Sequence, residues 1–167
     1  MKKVLTALIV ILFFSILPIN VAKAQVPTQK EKAQYTSEIK QKKQIIKQKS
    51  IAIKKLKVKI DDKGEELGKV LMLIFDRELP PSGENLTAIE HQGEAIINNN
   101  KKLIKTQQSI KRLKKEANID VTEKNYHQAL NKFEKVIALQ ATEEEILKAY
   151  ETDLQQFINL LKALQFK

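Results

Sequence analysis

The chain has 167 residues, 43% apolar and 5% aromatic, with no Cys and no Trp, and its 30 Lys and Arg against 20 Asp and Glu set a net charge of +10. That is one domain's length at most, too apolar for a disordered tail and too poor in aromatics for a thick core. Without Cys there is no disulfide framework, thiolate metal site, Cys nucleophile or lipid-modified N-terminal cysteine, and two His leave little for zinc chemistry.

Lys2 and Lys3 precede an uncharged stretch from Val4 to Ala22, with Pro18 near its end and Ala22-Lys23-Ala24 before Gln25. A positive start, an apolar middle and small residues in an A-x-A pattern predict a secretory signal over 1–24, cleaved after Ala24. The competing reading is an uncleaved membrane anchor, because the uncharged stretch reaches the lower limit of about 17–25 residues for a spanning helix. Either way residues 25–167 are expected outside the cytoplasm: periplasmic, at the cell surface or secreted. They would form a single helical domain, held together without disulfides.

The next strong breaker is Leu79-Pro80-Pro81-Ser82-Gly83-Glu84-Asn85. Before it, Ile39, Ile46, Ile53, Ile60, Leu67 and Ile74 recur every seven residues, and after it Ile89, Ile96, Leu103, Ile110 and Ala117 do the same. A seven-residue apolar period marks helices that wind around each other. The two series mirror each other about the Pro81-Ser82 bond, so that 46 pairs with 117, 53 with 110, 60 with 103, 67 with 96 and 74 with 89. This predicts an antiparallel helical hairpin with arms 30–78 and 86–117, the second capped by Thr87 with Glu90, or by Asn85. Residues 51–60 partly alternate, as a strand would, but the sevenfold register through Ile53 and Ile60 favours helix.

The seam is half polar, with Lys42, Lys49 and Lys63 on one arm and Asn100, Gln107 and Lys114 on the other. Two strands alone would be marginal. Tyr126, Leu130, Phe133 and Ile137, then Leu147, Tyr150, Leu154, Phe157, Leu161 and Leu164, keep helical spacing and supply the missing surface. Helices over 121–140, capped by Asp120 or Thr122, and over 143–165, opened by Thr142 with Glu145, would complete a three- or four-helix bundle. Without Gly or Pro the segment equally permits one unbroken helix. The expected fold is an all-α, elongated, coiled-coil-like hairpin completed by C-terminal helices, or by a second copy.

Charge is unevenly placed: 12 Lys against four acids over 30–63, two bases against seven acids over 65–94, and eight bases against three acids over 101–124. Folding at the turn sets the two basic segments side by side and leaves the acidic one at the turn end. The candidate surface for an anionic partner is Lys54, Lys55, Lys57, Lys59, Lys101, Lys102, Lys105, Lys111, Arg112, Lys114 and Lys115. Outside the cell such partners would be lipid head groups or envelope polymers; the plain alternative is a solvated coil surface. With two Arg in the chain, specific nucleic-acid readout is not expected.

The run Val70 to Phe75 is apolar and uncharged, to be buried by the C-terminal helices or left, through Leu71, Met72, Leu73 and Phe75, as a patch for a protein partner. Gly64, Gly68 and Gly93 interrupt the helical pattern beside it, which predicts close helix approach or local unwinding. His91 and His127 read as surface or packing residues, and Asp61-Asp62 and Glu65-Glu66 as solvated pairs. With no phosphate loop and no nucleophile elbow, no enzyme activity and no cofactor are expected.

Lys124 to Leu139 resembles the second helix of a tetratricopeptide repeat, with Tyr126, Ala129, Phe133 and Leu139 at matching places. No second copy follows 34 residues on, so no array is expected. In layout the chain is similar to minor pilus subunits of type IV secretion systems: an exported, Cys-free chain with a Gln/Lys-rich first helix, a Gly-containing middle ending in Leu79-Pro80, and long C-terminal helices. The resemblance implies a helical bundle that takes part in pilus assembly and host-cell adhesion, with secretion components or further copies as partners.

Overall fold

The computed structural model describes residues 28–75 and 83–164, and all but three loop residues and one cap among them lie in three helices: α1 Gln29–Phe75, α2 Gly83–Thr122 and α3 Tyr126–Leu164. The signal segment and the proline turn lie outside the described residues. Contacts divide the chain into two compact units, Met1–Lys32 and Ala33–Lys167. In the first, Thr28 and Glu31 form a reciprocal cap for α1. The Thr28 N–H donates to Glu31 Oε2 at 2.6 Å and the Glu31 N–H donates to Thr28 Oγ1 at 3.3 Å. The Thr28 N–H foremost, and the Thr28 hydroxyl that donates to the same Glu31 oxygen at 2.8 Å, hold the Glu31 carboxyl below its ordinary pKa.

The second unit is a three-helix bundle whose core follows the sevenfold register. Ile39, Ile46, Ile53 and Ile60 of α1 and Leu103, Ile110 and Ala117 of α2 are all buried. Ile46 and Ala117 share one cluster with Ala129, Phe133 and Val136 of α3; Ile60 and Leu103 share the next with Leu147 and Leu154. Ile74 and Ile89 meet in a third, around Val70, Ile158 and Leu161. Thus α1 and α2 are antiparallel in the predicted register, and α3 returns along α2 to run parallel to α1.

The C-terminal boundaries differ from the sequence expectation. Helix α2 runs past 117 to Thr122, because Asp120 and Val121 still face α3, so neither Asp120 nor Thr122 caps a helix beginning at 121. The Thr122 hydroxyl instead donates back to the Asn118 carbonyl at 3.0 Å. Lys124 ends the helix in the left-handed region, φ 65°; its N–H donates to the Val121 carbonyl at 3.2 Å and the Asn125 N–H to the Asp120 carbonyl at 2.8 Å. This is a Schellman stop with Lys where Gly is usual. The helices expected over 121–140 and 143–165 are one helix, Tyr126–Leu164. Thr142 caps nothing: its hydroxyl back-bonds to the Ala138 carbonyl at 3.4 Å. Upstream, α2 starts at Gly83, which places both expected caps, Asn85 and Thr87, inside the helix.

The glycines are not points of close helix approach. A Cβ built at Gly64, Gly68 or Gly93 would meet no atom within 4 Å, and all three positions stay helical.

Candidate functional site

The half-polar seam of the hairpin is matched by polar residues of α3. Lys42 Nζ lies 2.9 Å from Glu134 Oε1 and Lys49 Nζ 3.3 Å from Glu144 Oε2, while Lys63 donates to Gln155 and Lys162 Nζ sits 2.6 Å from Glu66 Oε1. The Lys42 and Lys162 ammonium groups, through these hydrogen bonds first, hold the Glu134 and Glu66 carboxyls below their ordinary pKa. Asp120, 5% exposed, is paired with Lys132 at 2.9 Å, and that bond leads in raising the Lys132 pKa. Burying a carboxylate costs several kcal/mol unless it is paired, so this pair fixes how α2 meets α3.

Halfway along the bundle, where Ile53 and Ile110 fall in separate apolar clusters, the helices part around an open cleft of about 500 Å³. The two isoleucines contribute apolar lining. Lys54 and Lys57 of α1 and Lys111 and Lys114 of α2 form its cationic sides, and Gln140 and Glu143 of α3 close it with polar groups. Lys57 Nζ lies 2.9 Å from Glu143 Oε1, which also accepts from Gln107 Nε2 at 3.0 Å. Among the described residues no acidic group pairs with Lys54, Lys111 or Lys114, which leaves three uncompensated cations around one hollow.

Gln140 is 1% exposed. Its Nε2 donates to the Ile46 carbonyl at 3.2 Å and to Ser50 Oγ at 2.8 Å, and Ser50 in turn donates to the same carbonyl at 2.8 Å. A carbonyl only accepts, so the amide orientation is set by Ile46. That leaves Gln140 Oε1 buried without a donor; among the described residues Asp120 Oδ2 is the other buried oxygen without a well-aligned hydrogen bond, and it has the Lys132 ammonium 2.9 Å away.

The structure brings together four of the eleven predicted basic residues: Lys54, Lys57, Lys111 and Lys114 share the cleft. Lys55, Lys59, Lys101, Lys102, Lys105 and Lys115 are exposed outside it, and Arg112 faces Glu116 one turn on at 3.8 Å. The predicted apolar patch is divided. Val70 is buried at 4%, Leu71 packs partly under Ile158 and Leu161, and Met72 and Leu73 stand 70% and 49% exposed; the Phe75 side chain lies outside the described residues. Both His91 and His127 are exposed.

Sequence reasoning missed Gln140 and Glu143. The signal was present: with Phe133, Val136 and Leu147 they form an uninterrupted series at spacings of three and four. A polar residue in such a series sits in the interior and needs a partner. Among the described residues no helix is long and apolar enough to cross a membrane. No protein-family model, curated protein or solved structure matches the chain.

Proposed function

We propose that this chain is an exported, non-enzymatic binding protein of the cell envelope or surface, which engages anionic polymers or lipid head groups through the lysine face of its helical hairpin. Export rests on the signal pattern of residues 1–24. The observation that carries the binding reading is the convergence of Lys54 and Lys57 with Lys111 and Lys114 on one cleft, flanked by further lysines without acidic partners among the described residues. Lysine presents a strongly hydrated point charge, suited to many phosphates in succession and poorly suited to bidentate readout of one base.

Binding to vesicles of phosphatidylglycerol in phosphatidylcholine tests this. Affinity should fall steeply from about 50 to about 200 mM salt, and reversal of Lys55, Lys59, Lys101 and Lys102 to Glu should abolish it. Equal binding to neutral vesicles, or no effect of the reversal, would sink the reading.

A second reading, an assembly or adhesion component of a type IV secretion pilus, draws on the layout of the chain and on apolar residues left outside the bundle. Ile51, Val58 and Met72 lie on one seven-residue stripe of α1, 52%, 51% and 70% exposed, interrupted by Glu65. Self-association that persists at high salt and is lost in Val58→Lys would support assembly; a monomer at every concentration would exclude self-assembly through this stripe.

A further inference from the structure

From the cleft's two kinds of polar wall we infer that it is a binding site for a polyol phosphate, a phosphoryl group carried on a hydroxylated carbon chain or ring. This rests on the anionic-partner reading above and names its ligand. The cationic sides suit an anion: Lys54, Lys111 and Lys114 line one cleft with no acidic partner among the described residues, and a phosphoryl group there would accept charge-assisted hydrogen bonds from them. The opposite wall offers acceptors for hydrogen-bond donors. Gln140 Oε1 is a buried acceptor with no donor, and Glu143 beside it is a carboxylate, which repels a bare phosphate but accepts from a hydroxyl. A ligand with negative charge at one end and O–H groups at the other satisfies both walls; sulfate satisfies only the first and glycerol only the second. Ile53 and Ile110 offer the carbon skeleton an apolar surface, and about 500 Å³ falls within the range of about 300–1,000 Å³ usual for small-molecule sites.

The same chemistry reaches the cleft as a free sugar or glycerol phosphate, or as the exposed unit of a glycerophospholipid head group. Isothermal titration of the purified chain with glycerol 3-phosphate and with sulfate, at one ionic strength, is the direct test, and phosphatidylglycerol vesicles form the head-group arm. The expected result is saturable binding of glycerol 3-phosphate, at least about tenfold tighter than sulfate, as one or more charge-assisted hydrogen bonds imply. Lys111→Gln/Lys114→Gln, at solvent-accessible positions whose loss leaves no buried charge, should weaken it about tenfold with helicity unchanged. Gln140→Met should weaken glycerol 3-phosphate and leave sulfate as it was, while Lys55→Gln/Lys59→Gln, outside the cleft, should change neither. Binding confined to the vesicles, and lost in Lys111→Gln/Lys114→Gln, would identify the head group as the source.

Sulfate bound as tightly as glycerol 3-phosphate, or a Lys111→Gln/Lys114→Gln variant that binds normally, would overturn the inference. The broader reading fails separately. A chain that titrates glycerol 3-phosphate yet ignores anionic vesicles keeps the site and discards the polymer surface. A chain that binds vesicles in a salt-dependent way through Lys55, Lys59, Lys101 and Lys102, yet ignores both free anions and is indifferent to the cleft variants, does the reverse.

Discussion

Lys124 carries a cost that its neighbours impose. The two Schellman bonds that close α2 require a left-handed residue, and a side chain there meets the carbonyl that follows it, at roughly 1–2 kcal/mol. Lys124→Gly should remove that strain against the entropy glycine adds to the unfolded chain, for a net gain of about 0.5–1 kcal/mol, read as a higher urea midpoint at unchanged slope. The glycines of α1 give the opposite case. Gly64 and Gly68 have negative φ and open space where a methyl would stand, so each change to Ala should stabilise by about 0.5–1 kcal/mol. Two prolines beside a glycine made the break between α1 and α2 visible in the sequence, whereas the loop between α2 and α3 was hidden because the residue that stops α2 is a lysine. Asp120 was misread for the same reason: with the stop invisible, an acid followed by Val-Thr looks like the start of a helix when it is the buried end of one.

Between helices, the strict spacing of seven made the α1/α2 register legible: four of the five mirrored pairs share an apolar cluster, and the fifth, Ile53 with Ile110, is divided between two where the cleft opens. Helix α3 was less so, since its buried series alternates between steps of three and four and passes through Gln140 and Glu143, where apolar periodicity breaks off. That polar gap looked like a boundary between two helices; in the fold it is where α3 crosses the cleft, its Gln and Glu held by Ile46, Ser50, Lys57 and Gln107. The apolar layers on either side should therefore carry the stability. Leu147, 1% exposed among Ile53, Ile60, Leu103 and Leu154, should cost about 2–5 kcal/mol when changed to Ala, against within about 0.5 kcal/mol for Ile104, 47% exposed on α2. Equal thermal midpoints for the two variants would mean that α3 is not seated on the hairpin as described.

Across the whole bundle, charge does two jobs that linear counting merges. Lys42, Lys49 and Lys57 are spent on α3, against Glu134, Glu144 and Glu143, and bind the parallel helix in register; Lys54, Lys111 and Lys114 line the cleft without an acidic partner among the described residues. Three interhelical ion pairs, Lys42 with Glu134, Lys162 with Glu66 and Lys132 with Asp120, make stability depend on pH in a direction fixed by the shifts. Glu66 and Glu134 are held below their ordinary pKa by Lys162 and Lys42, so the unfolded chain binds their protons more readily than the folded one. Their contribution is full above the ordinary glutamate value of about 4.5 and is lost as pH falls through the lowered folded values. Lys132, raised by Asp120, runs the other way: its contribution is full below about 10.5 and is lost as pH climbs through the raised value. Melting followed by helicity should show a plateau at neutral pH with a fall on each side, the acid one beginning near pH 4–5. Glu66→Gln/Glu134→Gln should lower the neutral plateau and shrink the acid fall, converging on the parent at low pH. Both pairs are partly exposed, so salt should also narrow the gap between parent and variant. A variant that melts with the parent at neutral pH but apart from it in acid would show that these carboxylates act in the unfolded chain and do not join α3 to α1.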